Sequence, residues 1–328
     1  MTGLASIPAR VATGLSSFLV LALLAGCAQL VPQTMALRTG WPAGVNQQTE
    51  IAGVPFFPQD DFQCGPAALA TALSHSGVAT TPEALVDQVY LPARQGSLQI
   101  EMLAATRRHD RVSYLLAPRY SDLLREVAAG NPVIVLQEVG LMLTEWHYAV
   151  VTGFDYPSGT LFLRSGTRPR QEMPFTAFER TWMKSGYWAM VVTRPDRIPA
   201  TATEERWLAA VLAMADSSSA EAATQAYATA LERWPDNLPA AIGLANQYHG
   251  RGSLTQATLV LRHALLRHPQ SVIVINNLAQ TLSDQGHQPE ALAEINQAAD
   301  PQSPFAAEVR ATRQLILERM AQQQTGSR

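Results

Sequence analysis

Between residues 51 and 195 the spacing of apolar positions changes from that of helices to that of strands. The run at residues 67–73, ended by Gly77, predicts a helix, and further helices are predicted from Thr81 and over 97–108 and 121–129. Apolar and β-branched runs then predict strands over 132–138, 146–154, 160–164 and 187–193. Helices followed by an antiparallel sheet are typical of an α+β domain.

The pattern is helical throughout residues 204–328, after a stretch of linker composition at 196–203. Residues recur there at a constant step: Leu231 with Leu265, Pro235 with Pro269, Leu244 with Leu278, Gly252 with Gly286, and Ala223 with Ala257 and Ala291. The step is 34 residues, and the small residues suit closely paired helices. The pattern resembles the tetratricopeptide repeat and predicts an all-α array of about three repeats. Its role is open between a stabilising appendage and a concave protein-binding face.

The first residues have the pattern of a secretory signal. Arg10 is the only charge before the apolar stretch at 18–24, and small residues follow. Leu24-Ala25-Gly26-Cys27 resembles the lipobox of bacterial lipoproteins, in which the cysteine is acylated. Ala28 follows the cysteine, which by resemblance to lipoprotein sorting favours the outer membrane, facing the periplasm. Residues 1–27 are therefore predicted to be a signal peptide, and the polar, turn-rich residues 28–50 a tether.

Composition limits the partners that the chain can have. Hydrophobic residues make up 47% and charged ones 16% of 328 residues, which is ordinary for a globular protein with a sizeable core. The net charge is -3 and no basic block is present, so nucleic acid is not an expected partner. No His-Glu-x-x-His pattern or other metal-ligand spacing occurs, and neither a metal nor another cofactor is predicted.

The chain has two cysteines, Cys27 and Cys64. If Cys27 carries lipid, Cys64 has no partner for an intramolecular disulfide. An unpaired thiol in an oxidising compartment is a liability unless it is buried or used. Cys64 is therefore either inert core or a reactive residue.

The sequence around Cys64 favours reactivity. Gly65-Pro66 follows it and begins the helix-forming run, because proline is well tolerated in the first turn of a helix. A cysteine at a helix N-terminus is expected to have a lowered thiol pKa, since the helix dipole favours the thiolate.

A thiolate nucleophile needs a base, and His147 is the best placed of seven histidines. It begins the apolar strand His147-Tyr148-Ala149-Val150-Val151-Thr152-Gly153. His249, His263, His268 and His287 belong to the helical array, His109 follows two arginines, and His75 lies three turns beyond Cys64. A histidine at the beginning of a strand can face the N-terminus of a helix that packs across the sheet.

These motifs together resemble the C39-like peptidases of the papain-like superfamily. Val54-Pro55-Phe56-Phe57-Pro58-Gln59 and Gln63-Cys64-Gly65-Pro66-Ala67-Ala68-Leu69 are similar to the start of that family, and the His147 strand is similar to its histidine strand. With a lipobox before and repeats behind, the chain resembles a group of bacterial C39-like lipoproteins. The resemblance implies an α+β papain-like cysteine peptidase domain over residues 51–195, followed by an all-α tetratricopeptide-repeat array.

The resemblance also implies roles. Cys64 would attack the scissile carbonyl and His147 would carry the proton. Gln59 would donate its side-chain amide to the developing oxyanion, with Gln63 as a weaker alternative. The family usually has an Asp after the strand that follows the histidine strand, but Ser165 stands there, and Asp155 is the nearby acidic alternative in a turn. No transporter or nucleotide-binding motif is present, so ATP is not implied.

Three functions remain open from the sequence. The first is a lipid-anchored cysteine peptidase that acts on a protein or peptide. The second is an inactive C39-like domain that binds peptide, with the repeats as a scaffold for another protein, and Ser165 in the acid position keeps it open. The third is another papain-like acyl transfer.

Overall fold

The computed structural model describes residues 31–59, 63–140, 144–298 and 300–326. The signal peptide and Cys27 therefore lie outside the described residues. In those described, the first region contains helices α1 (Pro32–Thr39), α2 (Cys64–His75), α3 (Pro82–Val89), α4 (Gln99–Arg108), α5 (Tyr120–Ala128) and α6 (Phe175–Trp182). Its strands are β1 (Gln48–Glu50), β2 (Tyr90–Leu91), β3 (Gly96–Ser97), β4 (Val112–Leu115), β5 (Val133–Glu138), β6 (Trp146–Asp155), β7 (Thr160–Ser165), β8 (Arg168–Pro174) and β9 (Ala189–Thr193).

One antiparallel sheet organises this region, which confirms the predicted α+β class. Its strand order is β4-β9-β5-β6-β7-β8, and β1 pairs with the far end of β6. β2 and β3 form a separate two-stranded ribbon. The four predicted strands correspond to β5, β6, β7 and β9, whereas β1, β4 and β8 were not predicted.

The two faces of the sheet carry different helices, because successive side chains of a strand point to opposite sides. Ile134, Tyr148 and Val150 pack with α2, α3 and α4 in one cluster. Val135 and Ala149 pack with α5, α6 and the first helices of the C-terminal region in a second cluster. The helix that begins with Cys64 therefore lies on one face, and the helical C-terminal region lies on the other.

The residues expected to form a tether are folded onto this domain as far as they are described. Leu37 of α1 is buried in the second cluster, and β1 extends the sheet. The buried carboxylate of Glu179 accepts the backbone N–H groups of Gln33 at 2.9 Å and Thr34 at 2.6 Å. A carboxylate at a helix N-terminus satisfies free N–H groups and suits the helix dipole. The polar composition of residues 28–50 gives no indication that Glu179, which is distant in sequence, holds this segment.

The expected linker at 196–203 is also fixed in place. Glu126 of α5 is fully buried, and its carboxylate accepts the Thr201 N–H and hydroxyl, each at 2.6 Å, and the Ala200 N–H at 3.3 Å. The side-chain amide of Asn131 donates a further bond at 2.6 Å. The four donors compensate for removing the carboxylate from water.

The C-terminal region is helical, as predicted. Its helices are α7 (Glu204–Ala215), α8 (Ala220–Arg233), α9 (Leu238–Gly250), α10 (Leu254–Arg267), α11 (Val272–Asp284), α12 (Gln288–Gln297) and α13 (Ala306–Gly326). Helix starts recur every 34 residues, at 204, 238, 272 and 306, and at 220, 254 and 288 between them. Gly252 and Gly286 have φ of 72° and 86° in equivalent interhelical turns. Membership of the tetratricopeptide family remains a prediction.

No helix in the described part of the chain is long and apolar enough to cross a bilayer.

Replacing Glu126 with Ala should leave several buried donors unpaired, and we expect the free energy of unfolding to fall by about 3 kcal/mol. Limited proteolysis should become faster at residues 196–203, because Thr201 loses its anchor. Urea unfolding and mass spectrometry of the fragments measure both effects. Glu205→Ala, which removes an exposed carboxylate, is the control and should change stability by less than about 0.5 kcal/mol. Equal effects of the two variants would contradict the anchoring role of Glu126.

Candidate active site

Cys64 is the first residue of α2, where the chain leaves the irregular segment before it. Pro66 lies in the first turn, and Gln63 precedes the helix without a side-chain cap. The thiol is free and half-buried. The backbone N–H groups of Tyr148, Gly65 and Cys64 itself are close enough to the sulfur to lower the pKa of the thiol. The sulfur is therefore held next to strand β6, directly beside the residue that follows His147.

The helix reaches this position because Gly65 has no side chain. A Cβ at Gly65 would lie 2.1 Å from the hydroxyl oxygen and 2.5 Å from the Cβ of Ser97. Ser97 in turn accepts a hydrogen bond through its carbonyl from the Tyr148 hydroxyl at 3.3 Å. The start of α2, the ribbon strand β3 and the sheet strand β6 thus meet at one point.

His147 is the second residue of β6, and its ring is hydrogen-bonded to Ser165 at the end of β7. The distance from His147 Nε2 to Ser165 Oγ is 2.8 Å, and Ser165 is buried. No residue of the described ranges bonds Nδ1 of the same ring. The ring is therefore oriented through one nitrogen, and the other has no partner within the described ranges.

Burial governs the protonation of both groups. It raises the pKa of the Cys64 thiol, the three N–H groups oppose this shift, and the Glu145 carboxylate adds to it. Burial lowers the pKa of His147, and Glu145 opposes that shift. The resting pair is therefore neutral thiol and neutral imidazole. The lowered thiol pKa expected at a helix N-terminus is not found, because the loss of solvation outweighs the stabilisation by the N–H groups.

Gln59 lies beside the turn that follows Ser165. Its backbone N–H donates to the Gly166 carbonyl at 3.1 Å. The side-chain oxygen is buried and has no hydrogen-bond partner among the described residues. A buried side-chain oxygen without a partner is unusual in a folded protein, and it could accept a hydrogen bond from a ligand. Gln63, the alternative to Gln59, lies just before α2 and has no side-chain cap bond.

Asp155 is at the opposite end of β6 from His147. Its carboxylate accepts the Ser158 N–H and the Gln48 side-chain amide, each at 3.2 Å, within the turn to β7. Those bonds lower its pKa. Of the two candidates for a third residue, the structure brings Ser165 to His147 and keeps Asp155 away from it.

Sequence reasoning missed three neighbours of this pair, namely Tyr148, Ser97 and Glu145. The ring of Tyr148 packs edge-on against Trp188, with centroids 5.7 Å apart, while its backbone N–H lowers the pKa of the Cys64 thiol. Ser97 carries no motif that distinguishes it from other loop serines. Glu145 is two residues before His147, and this spacing on a strand was the one signal that could have indicated it.

Among the residues that the structure describes, no group of three His, Cys, Asp or Glu side chains could hold a metal ion.

Residues 51–190 match the sequence model of the Peptidase_C39 like family. The match supports a C39-like domain over that part of the chain, which bears the Cys64 helix and the His147 strand. No curated protein matches the chain.

Two solved structures are similar to this chain. One is described as a C39-like peptidase from Bacillus anthracis, with 15% identity over 45% of this chain and 98% of its own, at a TM-score of 0.38. Another is a double glycine motif protease from an AMS/PCAT transporter, in complex with a leader peptide. It has 19% identity over 44% of this chain and 96% of its own, at a TM-score of 0.34.

Gly65→Ala tests the junction between α2, β3 and β6. The new Cβ cannot coexist with Ser97, so we expect the free energy of unfolding to fall by about 1–3 kcal/mol. The double variant Gly65→Ala with Ser97→Gly removes both colliding atoms and should recover most of that loss. Urea unfolding measures both. Gly250→Ala, where a Cβ meets open space at the end of α9, is the control and should not destabilise the protein. A double variant no more stable than Gly65→Ala would contradict the steric explanation.

Proposed function

We propose that residues 51–195 form a cysteine peptidase that cleaves peptide bonds of a protein or peptide. The observation that carries the proposal is that the Cys64 thiol, half-buried at a helix N-terminus, lies beside Tyr148 of the strand that also bears His147, whose ring is oriented by Ser165. The match of residues 51–190 to the Peptidase_C39 like family supports it.

In the proposed reaction, Cys64 Sγ attacks the scissile carbonyl while Nδ1 of His147 takes the thiol proton. His147 then gives that proton to the leaving amine, and the C–N bond breaks to leave a thioester on Cys64. A water molecule, deprotonated by His147, hydrolyses the thioester and restores the thiol. Neither a metal nor another cofactor enters the proposed reaction.

The negative oxygen of the tetrahedral intermediate needs hydrogen-bond donors. We assign this role to the backbone N–H of Cys64 and to the side-chain amide of Gln59. Gln59 lies beside the turn that follows Ser165, where its backbone N–H donates to the Gly166 carbonyl, and this position next to the His147 partner supports the assignment. A donor fixed in place before the reaction costs little reorganisation when charge develops.

Ser165 takes the place of an orienting acid in this proposal. Its hydroxyl can hold the ring through Nε2, but it brings no negative charge to stabilise imidazolium. We therefore expect a slower enzyme than one with a carboxylate at this position.

The neutral resting pair also favours a second candidate, a C39-like domain that binds peptide without cleaving it. In that case the repeats of residues 204–328 would be a scaffold for a protein partner. The two candidates differ in whether Cys64 forms a thioester.

We further propose that Cys27 is acylated and holds the protein at the outer membrane, facing the periplasm. The lipobox-like sequence Leu24-Ala25-Gly26-Cys27 supports this. The helical region would then recruit or orient a protein substrate. Exposed apolar side chains on α10, including Leu259 and Leu266, support a role in binding protein.

Digestion of a peptide library with the purified protein, read by mass spectrometry, tests the peptidase. We expect cleavage to vanish in Cys64→Ala, to fall at least about 1000-fold in His147→Ala and about 100-fold in Gln59→Ala. Asp155→Asn preserves the turn bonds and should keep activity within about twofold. Cleavage that survives Cys64→Ala would reject the assignment. A protein that binds peptides but neither cleaves them nor forms a thioester would favour the second candidate.

Ser165→Asp tests whether the missing charge limits the pair. A carboxylate on Nε2 should favour imidazolium and raise the rate of Cys64 alkylation by iodoacetamide at pH 7 by about 10-fold, which corresponds to one pKa unit. Ser165→Asn adds similar volume without charge and is the matched control. Equal rates for the two variants would show that charge at this position is not limiting.

A further inference from the structure

Helix α1 lies at the end of β6 that is remote from the candidate site. The hydroxyl of Tyr156, in the turn after β6, donates to the Leu37 carbonyl of α1 at 3.2 Å. His147 and Asp155 stand near the two ends of β6, about 25 Å apart along the strand. The helix and the candidate site are therefore at opposite ends of this strand.

Polar contacts hold α1 on the domain from its first turn. The side-chain amide of Gln33 donates to the Pro118 carbonyl at 3.1 Å, and its oxygen accepts the Tyr120 N–H at 2.5 Å. Val31, directly before the helix, is only 8% exposed. The chain is therefore already part of the folded domain at Val31 and does not act as a free spacer beyond it.

This early start of the fold limits the distance between the domain and Cys27. Val31 is the fourth residue after Cys27, and a chain of this length spans at most about 14 Å. A free tether over residues 28–50 would reach about 75 Å instead. An acyl chain on Cys27 would therefore hold α1 next to the bilayer surface. This inference rests on the proposed acylation of Cys27.

The exposed side of α1 suits such a surface. Residues three and four apart share one side of a helix, and here they are Pro32, Met35, Ala36 and Thr39. Met35 is 55% exposed. No acidic residue precedes Glu50 in the sequence, so this side of α1 contains no negative charge that a phosphate would repel.

Two arginines beside α1 share one buried carboxylate. Arg119, which lies between the two residues that bond Gln33, pairs with Asp122 at 2.8 Å, and Arg125 pairs with it at 3.9 Å. Both arginines are exposed, whereas Asp122 is buried. One positive charge is left over, which favours anionic headgroups.

We propose that the exposed side of α1 lies on a phospholipid surface and that the Cys64–His147 end of β6 points away from it. Leu37 and the Cys64 helix also pack on opposite faces of the sheet. The candidate site then opens to the aqueous compartment. Its substrate is accordingly a soluble polypeptide and not a membrane-embedded segment.

The test uses the mature acylated protein in vesicles of phosphatidylethanolamine and phosphatidylglycerol. A nitroxide is attached at Thr39→Cys on α1, or at Leu266→Cys on α10 as the control, since Leu266 is 81% exposed. Cys64→Ala is present in both, so that the label attaches at the introduced cysteine. Electron paramagnetic resonance gives the collision rates with oxygen, which concentrates in lipid, and with a water-soluble nickel chelate. At position 39 we expect the nickel rate to fall several-fold and the oxygen rate to rise, both relative to position 266.

A second variant tests the contact without moving the label. Met35→Glu places a charge in the apolar contact and should restore nickel collisions at position 39. Met35→Leu keeps the side apolar and is the matched control. Because Met35 is exposed, neither change should move the midpoint of urea unfolding.

The mass of the N-terminal peptide reports whether Cys27 is acylated. An acylated protein with water-like collision rates at position 39 would overturn the membrane contact alone, and a protein without acyl chains would overturn both proposals. A fall in both collision rates would indicate contact with protein, such as a second copy of this chain, and would also overturn the proposal. None of these measurements depends on peptide cleavage, so the peptidase assignment is tested separately.

Discussion

The junction of the Cys64 helix with strand β6 determines the relative positions of the groups in the candidate site. The N–H of Tyr148 is close enough to the sulfur to lower the pKa of the thiol, and the hydroxyl of the same residue donates to the Ser97 carbonyl. Ser97 occupies the space that a side chain on Gly65 would need. Tyr148 is adjacent to His147 on β6. The position of this strand therefore determines where both the proposed nucleophile and the proposed base lie. A helix and a strand that are remote in sequence thereby meet at one point.

Loss of solvation is the main effect that disfavours the charged forms of the two groups at this junction. Burial favours the neutral forms of Cys64 and His147, and the N–H groups around the sulfur compensate only in part. Ser165 orients the ring without supplying charge. The candidate site therefore holds its groups in position while keeping them uncharged, so that a bound substrate, by completing the hydrogen bonds of the oxyanion, would supply part of the driving force.

Much of this arrangement follows from local sequence. The apolar runs predicted β5, β6, β7 and β9, and the Gly-Pro after Cys64 predicted the helix start. Ser165 was a candidate because the resemblance to C39-like peptidases implies a third residue after the strand that follows the histidine strand. Sequence reasoning missed Tyr148, Ser97 and Glu145. Tyr148 acts through its backbone N–H, Ser97 through close packing and Glu145 through the electrostatic effect of its charge. None of these effects gives a recognisable sequence motif.

Long-range polar contacts account for the other differences. Glu179 and Glu126 hold segments that are 145 and 75 residues away in sequence, namely Thr34 and Thr201. Segments 28–50 and 196–203 are polar and rich in turn-forming residues, so local reasoning assigned them to a tether and a linker. Only a partner remote in sequence distinguishes a polar segment that is anchored from one that is not.

The shared core between the sheet and the helical region has a consequence for how the protein unfolds. Trp207, Val211 and Met214 of α7 are fully buried in the cluster that contains Tyr114 of β4, and the Tyr114 hydroxyl bonds the Thr201 carbonyl at 3.2 Å. The sheet that bears the candidate site and the first helical pair therefore share their hydrophobic interior. They belong to one cooperative folding unit, and a chain cut at residue 195 would leave a water-exposed apolar surface where α7 had been.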